Sequence, residues 1–406
     1  MSLDNLMSNV GTKLNKNNEE TFELLQKVAS ICGKEQFQEE LLLSKGFKVS
    51  EINQLLDILI ESATVTITYH CHCLVEEDSE IYNHEPIKCE LCNETIKNTF
   101  IHEITKLYTL KEELFPYLKE REEELIKEQL CSPAYYGFCL DLKKNIRNII
   151  PFLGSGTSMP LGLSNWRGLL KGLENGFFNE ADKELYRDFL QDGDFMQALG
   201  FLKNRTLEFS TDEDIKNFMV DQIEQHYLKD LDKSKHNIED ILNLSSDFIM
   251  TTNYDRALLD YRKEYSYPYT FNDIGNVQEF LNRKKQAVVS LHGHIDKKET
   301  MIVTDEDYNK LYSDQTTKTI LSSIMGNKHL LFLGFSFEDA YFKDLYNKIY
   351  EELKGTHYMF VANLHEFQAQ KLRQKGLRAI GLKVDEKNFN DSYVRRLKFL
   401  LNWLIS

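Results

Sequence analysis

Short runs of apolar residues, each the length of a β-strand, recur along the chain from about residue 149 onward and alternate with stretches of helical apolar spacing. The runs predict strands near residues 149–153, 246–250, 287–291, 329–333, 357–362 and 378–382. The stretches between them predict helices at about 165–243, 254–264, 316–326, 338–354 and 365–375. A repeated strand–helix–strand order predicts an α/β fold with a doubly wound parallel, Rossmann-like sheet. The long helical stretch after the first strand predicts a helical cap.

The first 130 residues carry a different pattern. Apolar spacing is helical over residues 19–62, where Phe37 and its neighbours fit a second helix, and the segment ATVTITYH that follows alternates as a strand does. The charge-rich segment Tyr108–Leu130 predicts a connecting helix. We therefore expect two domains: an α+β, winged-helix-like domain over residues 1–130 and an α/β domain over residues 131–406.

Charge and composition narrow the classes of protein. The chain of 406 residues has a formal net charge of −15, which makes it a poor non-specific binder of nucleic acid because phosphate contacts need clustered Lys and Arg. Its sequence has no run of about 18 uncharged apolar residues of the kind that crosses a membrane, and its first residues lack the basic and apolar segments of a signal peptide. Together with an odd number of cysteines, seven, these features predict a cytoplasmic protein without a disulfide framework.

Four of the seven cysteines lie close together in two pairs. They are Cys71, Cys73, Cys89 and Cys92. Two close pairs on a predicted hairpin are typical of four thiolates around a structural Zn²⁺, so we expect a zinc ribbon over residues 71–92 of the first domain. His70, His72 or His84 is an alternative to one of the cysteines, and four free buried cysteines are the remaining alternative. The acidic residues around the pairs favour a surface for a protein partner or for self-assembly over one for nucleic acid.

Polar residues follow four of the predicted strands directly, in the segments FLGSGTS, TTNYD, LHGH and LGFSF. In open α/β sheets the ligand crevice lies outside the carboxyl ends of the strands, so these segments predict one nucleotide site. The turn over residues 154–158 offers backbone N–H groups and hydroxyls to a phosphate. It lacks the third glycine of the dehydrogenase fingerprint at the usual spacing, which argues against that class of enzyme.

Each segment has a structural alternative when it is taken alone. Asn253 and Asp255 can bind a water or a ribose hydroxyl, or can form an Asx turn that begins a helix. His292 can take a proton or orient a ribose, or can bond the backbone of its own turn, while His294 is expected to be structural. Ser336 can offer a hydroxyl to a ligand or cap a helix. The occurrence of all four segments after predicted strands favours a shared site.

The order of these segments resembles the sirtuin-like fold, with its G-A-G-x-S turn, T-Q-N-x-D segment, H-G pair and G-T-S segment, over roughly residues 135–385. The resemblance implies NAD⁺ binding, with Asn253 to position a water or the ribose, His292 to bond the ribose hydroxyls and act as a base, and Asp255 to orient the riboside or the amide. Together with the motifs it implies cofactor contacts at Gly154, Ser155, Gly156, Thr157, Ser158, Trp166, Arg167, Thr252, Gly334 and Ser336.

The segments LGLSNWRGLL and IVTDEDYNKLY are most similar to the sirtuin-like NAD⁺ hydrolases of bacterial anti-phage defence, which include Thoeris-type and other abortive-infection effectors. Deacylase sirtuins carry a four-cysteine zinc insertion after the catalytic histidine, whereas residues 294–333 hold no cysteine. The resemblance therefore implies cleavage of NAD⁺ to nicotinamide and ADP-ribose, in a homo-oligomer that a protein partner or trigger controls through residues 1–130. A protein deacylase and a non-catalytic nucleotide-sensing module are the alternatives.

Overall fold

Contacts between residues divide the chain into two units, Met1–Ile126 and Lys127–Ser406. The computed structural model describes residues 4–96, 100–261, 268–274, 280–281, 287–335 and 340–406. The sequence places the division after residue 130, whereas the structure places it inside the connecting helix, Leu114–Gln129. That helix is shorter than expected because Tyr108 lies in a strand.

The N-terminal unit combines helices with an antiparallel sheet. Its helices are α1 (Asp4–Leu14), α2 (Asn18–Cys32), α3 (Glu39–Ser44) and α4 (Val49–Glu61), and α5 (Leu114–Gln129) follows the sheet. The strands are β1 (Gln36–Phe37), β2 (Val65–Cys73), β3 (Asp78–Tyr82) and β4 (His102–Leu110), in the order β1–β4–β2–β3. Every neighbouring pair is antiparallel.

Local sequence explains where α2 begins. Asn17 accepts a hydrogen bond from the backbone N–H of Glu20 at 2.9 Å, and the Glu20 carboxylate accepts one from the Asn17 N–H, so a capping box begins α2. The expectation of a helix through Phe37 is wrong. Phe37 pairs with Tyr108 across β1 and β4, and their ring centroids are 5.7 Å apart. The winged-helix-like outline of this unit stays a prediction.

A sheet of seven parallel strands organises the C-terminal unit. The strands are β5 (Ile149–Leu153), β6 (Ile249–Thr251), β7 (Pro268–Tyr269), β8 (Val288–Ser290), β9 (His329–Leu333), β10 (His357–Ala362) and β11 (Leu377–Leu382). Their order is β11–β10–β9–β5–β6–β8–β7, and every neighbouring pair is parallel. All residues of β5, β6 and β8 are buried, which explains why these strands are unbroken apolar runs. The six predicted strands are confirmed, and β7 is an addition.

Helices connect these strands, as a doubly wound α/β fold requires. They are α6 (Tyr136–Asn145), α7 (Trp166–Gly172), α8 (Glu180–Asp192), α9 (Phe195–Arg205), α10 (Asp212–His226), α11 (Ile238–Asn243), α12 (Ala257–Tyr261), α13 (Asp305–Ser313), α14 (Gln315–Asn327), α15 (Ala340–Leu353), α16 (Glu366–Arg373) and α17 (Phe389–Ile405). The parallel sheet and its connecting helices confirm the predicted Rossmann-like fold class. Within the described ranges, no helix combines the length and the apolar character that a membrane span needs.

Helices α7–α10 form the predicted cap between β5 and β6. They pack around a buried cluster whose members include Leu170, Tyr186 and Met219. Tyr254, which follows β6, and Met301, which follows β8, belong to the same cluster. The cap therefore packs on the segments that leave the carboxyl ends of β6 and β8, where the predicted site residues lie.

Candidate functional site

Asn253 and His292 leave two neighbouring strands at the same level of the sheet. Thr251 at the end of β6 pairs in parallel with Ser290 at the end of β8, and the Leu291 N–H donates to the Thr251 carbonyl at 2.8 Å. Each of the two predicted catalytic residues follows its paired strand residue by two positions. The strand register therefore brings both to one edge of the sheet, as expected for the carboxyl ends of parallel strands.

The side-chain amide of Asn253 is held by the turn that follows β5. Its Nδ2 donates to the Gly154 carbonyl at 3.0 Å and lies 3.0 Å from the Ser158 hydroxyl and 3.4 Å from the Thr157 hydroxyl. The backbone N–H of Asn253 donates to Thr251 Oγ1 at 2.9 Å. These contacts fix the orientation of the amide and join the ends of β5 and β6.

Asn253 lines a small cavity at this edge. The other polar residues of its wall are Thr157, Ser158, Thr251, Asp255 and His294, and the apolar part of the wall includes residues of α11 and α12. The cavity volume is about 10 Å³, which is the room that one water molecule occupies. A nucleotide therefore needs the surrounding segments to move before it can reach these groups.

Asp255 lies at the start of α12 and is half-buried. Its Oδ1 accepts the Ala257 N–H at 2.9 Å, which is the Asx-turn contact that the sequence left open as an alternative. Burial raises the pKa of the Asp255 carboxyl above its usual value, although hydrogen bonds from the Ser158 hydroxyl and the Ala257 amide oppose the shift. The carboxyl is therefore easier to protonate than an exposed aspartate, and it lies in the cavity wall with Asn253.

The two histidines of the LHGH segment have different surroundings. His294, expected to be structural, lines the cavity. His292 does not belong to the lining of this cavity; it is 4 % exposed, its Nε2 lies 2.6 Å from the Tyr312 hydroxyl, and the Tyr308 ring meets it edge-on. Gly293 separates the two with a positive φ of 82°. A Cβ at Gly293 would lie 2.1 Å from the Thr300 carbonyl oxygen, so the turn needs glycine.

The surroundings of His294 favour its neutral form. Its Nδ1 accepts the Asp296 N–H at 3.1 Å, so the neutral ring carries its proton on Nε2. Burial lowers the pKa of His294, while Asp296 and the Asp255 backbone carbonyl oppose the shift. The cavity wall thus contains an imidazole N–H donor as well as a carboxyl group.

The backbone amides of the predicted phosphate-binding turn donate hydrogen bonds to backbone carbonyls. The N–H groups of Gly154 and Gly156 donate to the carbonyls of Leu333 and Gly334 at 2.9 and 3.0 Å. Those of Thr157 and Ser158 donate within the turn at 3.1 and 3.0 Å, where Ser155 is one of the acceptors. Any phosphate that binds these four amides must first displace their backbone partners.

Gly334 packs directly on this turn. Its φ is +60°, and a Cβ there would lie 2.4 Å from the Thr157 nitrogen. A Cβ at Gly154 would lie 2.5 Å from the Gly334 carbonyl oxygen. The glycines of the first and fourth segments therefore allow two backbones to touch, which brings these segments together as the sequence order implied.

Three further predicted contacts, Trp166, Arg167 and Thr252, do not line the cavity. Trp166 and Arg167 begin α7 in the cap, where Trp166 packs 6.1 Å from the Tyr254 ring and Arg167 lies 5.9 Å over Phe195. The Thr252 N–H donates to the Leu153 carbonyl at 3.1 Å, next to Asn253. Ser336 lies outside the described residues.

The cysteine cluster of the N-terminal unit includes a residue that the sequence analysis missed. Ligand atoms of Cys73, Cys89, Cys92 and His102 all lie within 4.8 Å of one another. Cys71 is buried beside them but is not a member of this group, and neither is His70, His72 or His84. The spacing of residues in the sequence did not indicate His102. The pairing of β2 with β4 sets His102 opposite Cys73 and so brings it to the cysteines.

The sequence of this chain matches one family model and resembles two named proteins. A family model described as a SIR2-like domain matches residues 247–380, from the strand before Asn253 to β11. The chain is 26% identical over 262 residues to NAD(+) hydrolase ThsA of Cytobacillus dafuensis, which covers 62% of this chain and 47% of that protein. It is also 27% identical over 197 residues to NAD(+) hydrolase ThsA of Enterococcus faecium. That alignment covers 47% of this chain and 38% of that protein. The chain thus spans less than half the length of either relative.

Proposed function

We propose that this chain, which carries a SIR2-like domain over residues 247–380, hydrolyses NAD⁺ at the bond between nicotinamide and ribose. The observation that carries the proposal is the fixed amide of Asn253, which the turn after β5 holds at the sheet edge that it shares with His292. The similarity to proteins named NAD(+) hydrolase ThsA supports the choice of substrate.

The chemistry of this bond sets what the residues must do. Nicotinamide leaves as a neutral pyridine, and positive charge develops on the ribose as the bond breaks. A water must then reach the anomeric carbon, and a base must take its proton. Groups that bind the ribose in a fixed geometry lower the barrier because they need not reorganise during the reaction.

Asn253 is suited to position the water or the ribose. All three of its side-chain contacts to the turn use Nδ2, so Oδ1 is the amide atom that accepts a hydrogen bond from a water or a hydroxyl. Because Nδ2 is held by backbone and hydroxyl partners, Oδ1 keeps one direction. We propose this oxygen as the group that orients the attacking water.

His292 is proposed to bond the ribose hydroxyls and to act as the base. The Tyr312 hydroxyl, 2.6 Å from Nε2, fixes the plane of the ring. Asp255 is proposed to orient the nicotinamide amide or the riboside, since its carboxyl lies in the same cavity wall as Asn253. The site would have to open for these roles, because its cavity holds about one water.

The proposed biological role is depletion of cellular NAD⁺ by an anti-phage abortive-infection effector in the cytoplasm. It follows from the resemblance of the motifs to that class of NAD⁺ hydrolase. We propose that the chain assembles into a homo-oligomer and that the N-terminal unit, with a structural Zn²⁺, contacts a partner or trigger. Expression in phage-challenged cells, with NAD⁺ measured over time, tests the role: unchanged NAD⁺ during infection would contradict it.

Product analysis tests the reaction itself. The purified full chain is separated into its assembly states and incubated with NAD⁺, with and without an acyl-lysine peptide. Release of nicotinamide and ADP-ribose without the peptide is the expected result. Nicotinamide release only with the peptide, together with its deacylation, would show a deacylase. NAD⁺ that binds but stays intact in every assembly state would show a nucleotide-sensing module.

A further inference from the structure

We infer that the N-terminal unit binds one Zn²⁺ through three thiolates and one imidazole, at Cys73, Cys89, Cys92 and His102, with Cys71 as a buried neighbour outside the ligand set. The sequence predicted four cysteine ligands, and the structure replaces one of them with a histidine. This inference rests on the geometry of the N-terminal unit and is independent of NAD⁺ hydrolysis.

The ligand atoms lie near the separation that tetrahedral zinc needs. Zn–S bonds of about 2.3 Å and Zn–N bonds of about 2.0 Å place the ligand atoms of a tetrahedral site with three sulfurs and one nitrogen roughly 3.5–3.8 Å apart. The four ligand atoms lie within 4.8 Å of one another, and Cys92 Sγ lies 3.1 Å from His102 Nε2. Only a small adjustment of the side chains would bring all four to one ion.

Two paired strands supply the first half of the site. Cys73 is the last residue of β2, and His102, the first residue of β4, lies directly opposite it in the antiparallel register. Both side chains are buried, with 0 % and 3 % exposure. Because the strand pair fixes their backbones, these two ligands are positioned before any ion binds.

A tight loop supplies the second half. The Cys89 N–H donates to the Glu94 carbonyl at 2.9 Å, and the Asn93 N–H donates to the Cys89 carbonyl at 3.0 Å. Asn93 adopts a positive φ of 66°. The backbone amides of Leu91 and Cys92 bond the Cys89 sulfur. These bonds orient the Cys89 side chain within the loop.

Cys71 is close to this site but occupies a different position. It precedes Cys73 by two residues on β2, so the two side chains share a face of the sheet. Cys71 packs in the same buried cluster as Cys73 and Cys89, and its thiol is hydrogen-bonded to the Cys89 sulfur. The intervening His72 bonds the Ser79 hydroxyl with its Nδ1 at 2.9 Å. The four ligand atoms that all lie within 4.8 Å of one another include neither the Cys71 sulfur nor a His72 nitrogen.

The proposed ion has a structural role. All four coordination positions are filled by protein ligands, which leaves none for a substrate. Among the described residues between β3 and β4, the isolated antiparallel bridge between Lys88 and Thr95 is the only β-pairing. Zinc would tie this segment to the β2–β4 pair, and such a small sheet gains much of its stability from a metal.

Metal analysis of the purified full-length chain tests the inference. One zinc per chain is expected by elemental analysis. Substitution by Co²⁺ is expected to give an absorption spectrum of three thiolates and one nitrogen in tetrahedral geometry. A chain that binds no metal, or a cobalt spectrum of four thiolates, would overturn the ligand set; this spectrum is read on the unaltered chain and needs no variant to fold.

Matched variants assign the fourth ligand. Cys71→Ser is expected to keep one zinc and an unchanged cobalt spectrum, and His102→Ala is expected to lose the zinc. His102→Cys is expected to restore metal binding with a four-thiolate spectrum. Loss of zinc in Cys71→Ser together with retention in His102→Ala would show that Cys71, and not His102, is the ligand.

Discussion

The Nε2 atom of His292 lies 2.6 Å from the hydroxyl of Tyr312. Tyr308 and Tyr312 are four residues apart on α13, so both rings lie on the face of the helix that meets His292. A capping box between Thr304 and Asp307 begins this helix. The orientation of the proposed base therefore depends on a helix that follows it in the chain, and not only on its own strand.

Tyr312→Phe is expected to lower kcat by roughly 10–100-fold, because the ring of His292 loses the partner that fixes it. The loss should be smaller than the 10²–10⁴-fold typical of removing a base itself. Tyr308→Phe is the matched control, since Tyr308 meets His292 through its ring. Steady-state kinetics across pH checks this; equal effects of the two variants would contradict a specific role for the Tyr312 hydroxyl.

Asp255→Asn is expected to raise the melting temperature at neutral pH while lowering activity. Burial raises the pKa of this carboxyl in the folded chain, so above that pKa the fold is destabilised by a charge that the unfolded chain solvates freely. Asparagine removes the charge and keeps an oxygen for the Ala257 N–H. Below the usual pKa of aspartate both states are protonated, and the gain should vanish. Melting curves measured from about pH 3 to pH 8 test this; destabilisation at neutral pH would refute the prediction.

His357 is expected to make the C-terminal unit sensitive to acid. Burial, with a smaller contribution from His329, lowers the pKa of His357 from 6.5 to about 3, and its Nδ1 accepts the Leu330 N–H at 3.0 Å. The unfolded chain binds this proton first as pH falls, so stability should fall below pH 6.5 by up to about 1.4 kcal/mol per pH unit. His357→Asn, which keeps an acceptor for Leu330, should flatten this slope in denaturant titrations. If the dependence of stability on pH is the same in this variant, titratable groups other than His357 cause the loss of stability in acid.

Gly334→Ala is expected to destabilise the fold and to damage the site. A Cβ at this position of positive φ would lie 2.4 Å from the Thr157 nitrogen, so the turn that holds Asn253 must shift. Gly200→Ala is the control, because a Cβ there meets nothing within 4 Å and alanine favours a helix by about 0.5–1 kcal/mol. Denaturant unfolding and NAD⁺ turnover should separate the two; a harmless Gly334→Ala would contradict the close packing of the two segments.

The strands of the parallel sheet could be predicted from the sequence because they are buried on both faces. Such strands are continuous apolar runs, and β9 and β10 have the bounds that these runs predicted. The two-residue β7 has no run of its own and depends on its neighbour β8. Apolar runs therefore predicted the strands that consist of buried apolar residues. They did not predict β7, which is recognised only by its pairing with β8.

Individual side chains of the site were harder to predict than the strands. The motifs identified Asn253 correctly as a neighbour of the Gly154–Ser158 turn, since strand ends meet at one edge. They did not show that Gly293 turns the chain so that His294, and not His292, lines the cavity. Nor did they show His102, which reaches the cysteines only through strand pairing. In both cases the position of the histidine depends on tertiary geometry, and not on residue type or spacing alone.

One comparison of variants tests whether the fixed amide of Asn253 serves the cleavage of NAD⁺. Wild type, Asn253→Ala and Asn204→Ala are incubated with NAD⁺ alone, and nicotinamide and ADP-ribose are measured by mass spectrometry. Asn204 is the matched control because its amide also donates to a backbone carbonyl, at Gly200, but on the exposed surface of the cap. Cleavage by wild type and Asn204→Ala, with loss in a folded Asn253→Ala, is the predicted result. Equal cleavage by all three proteins would contradict the account.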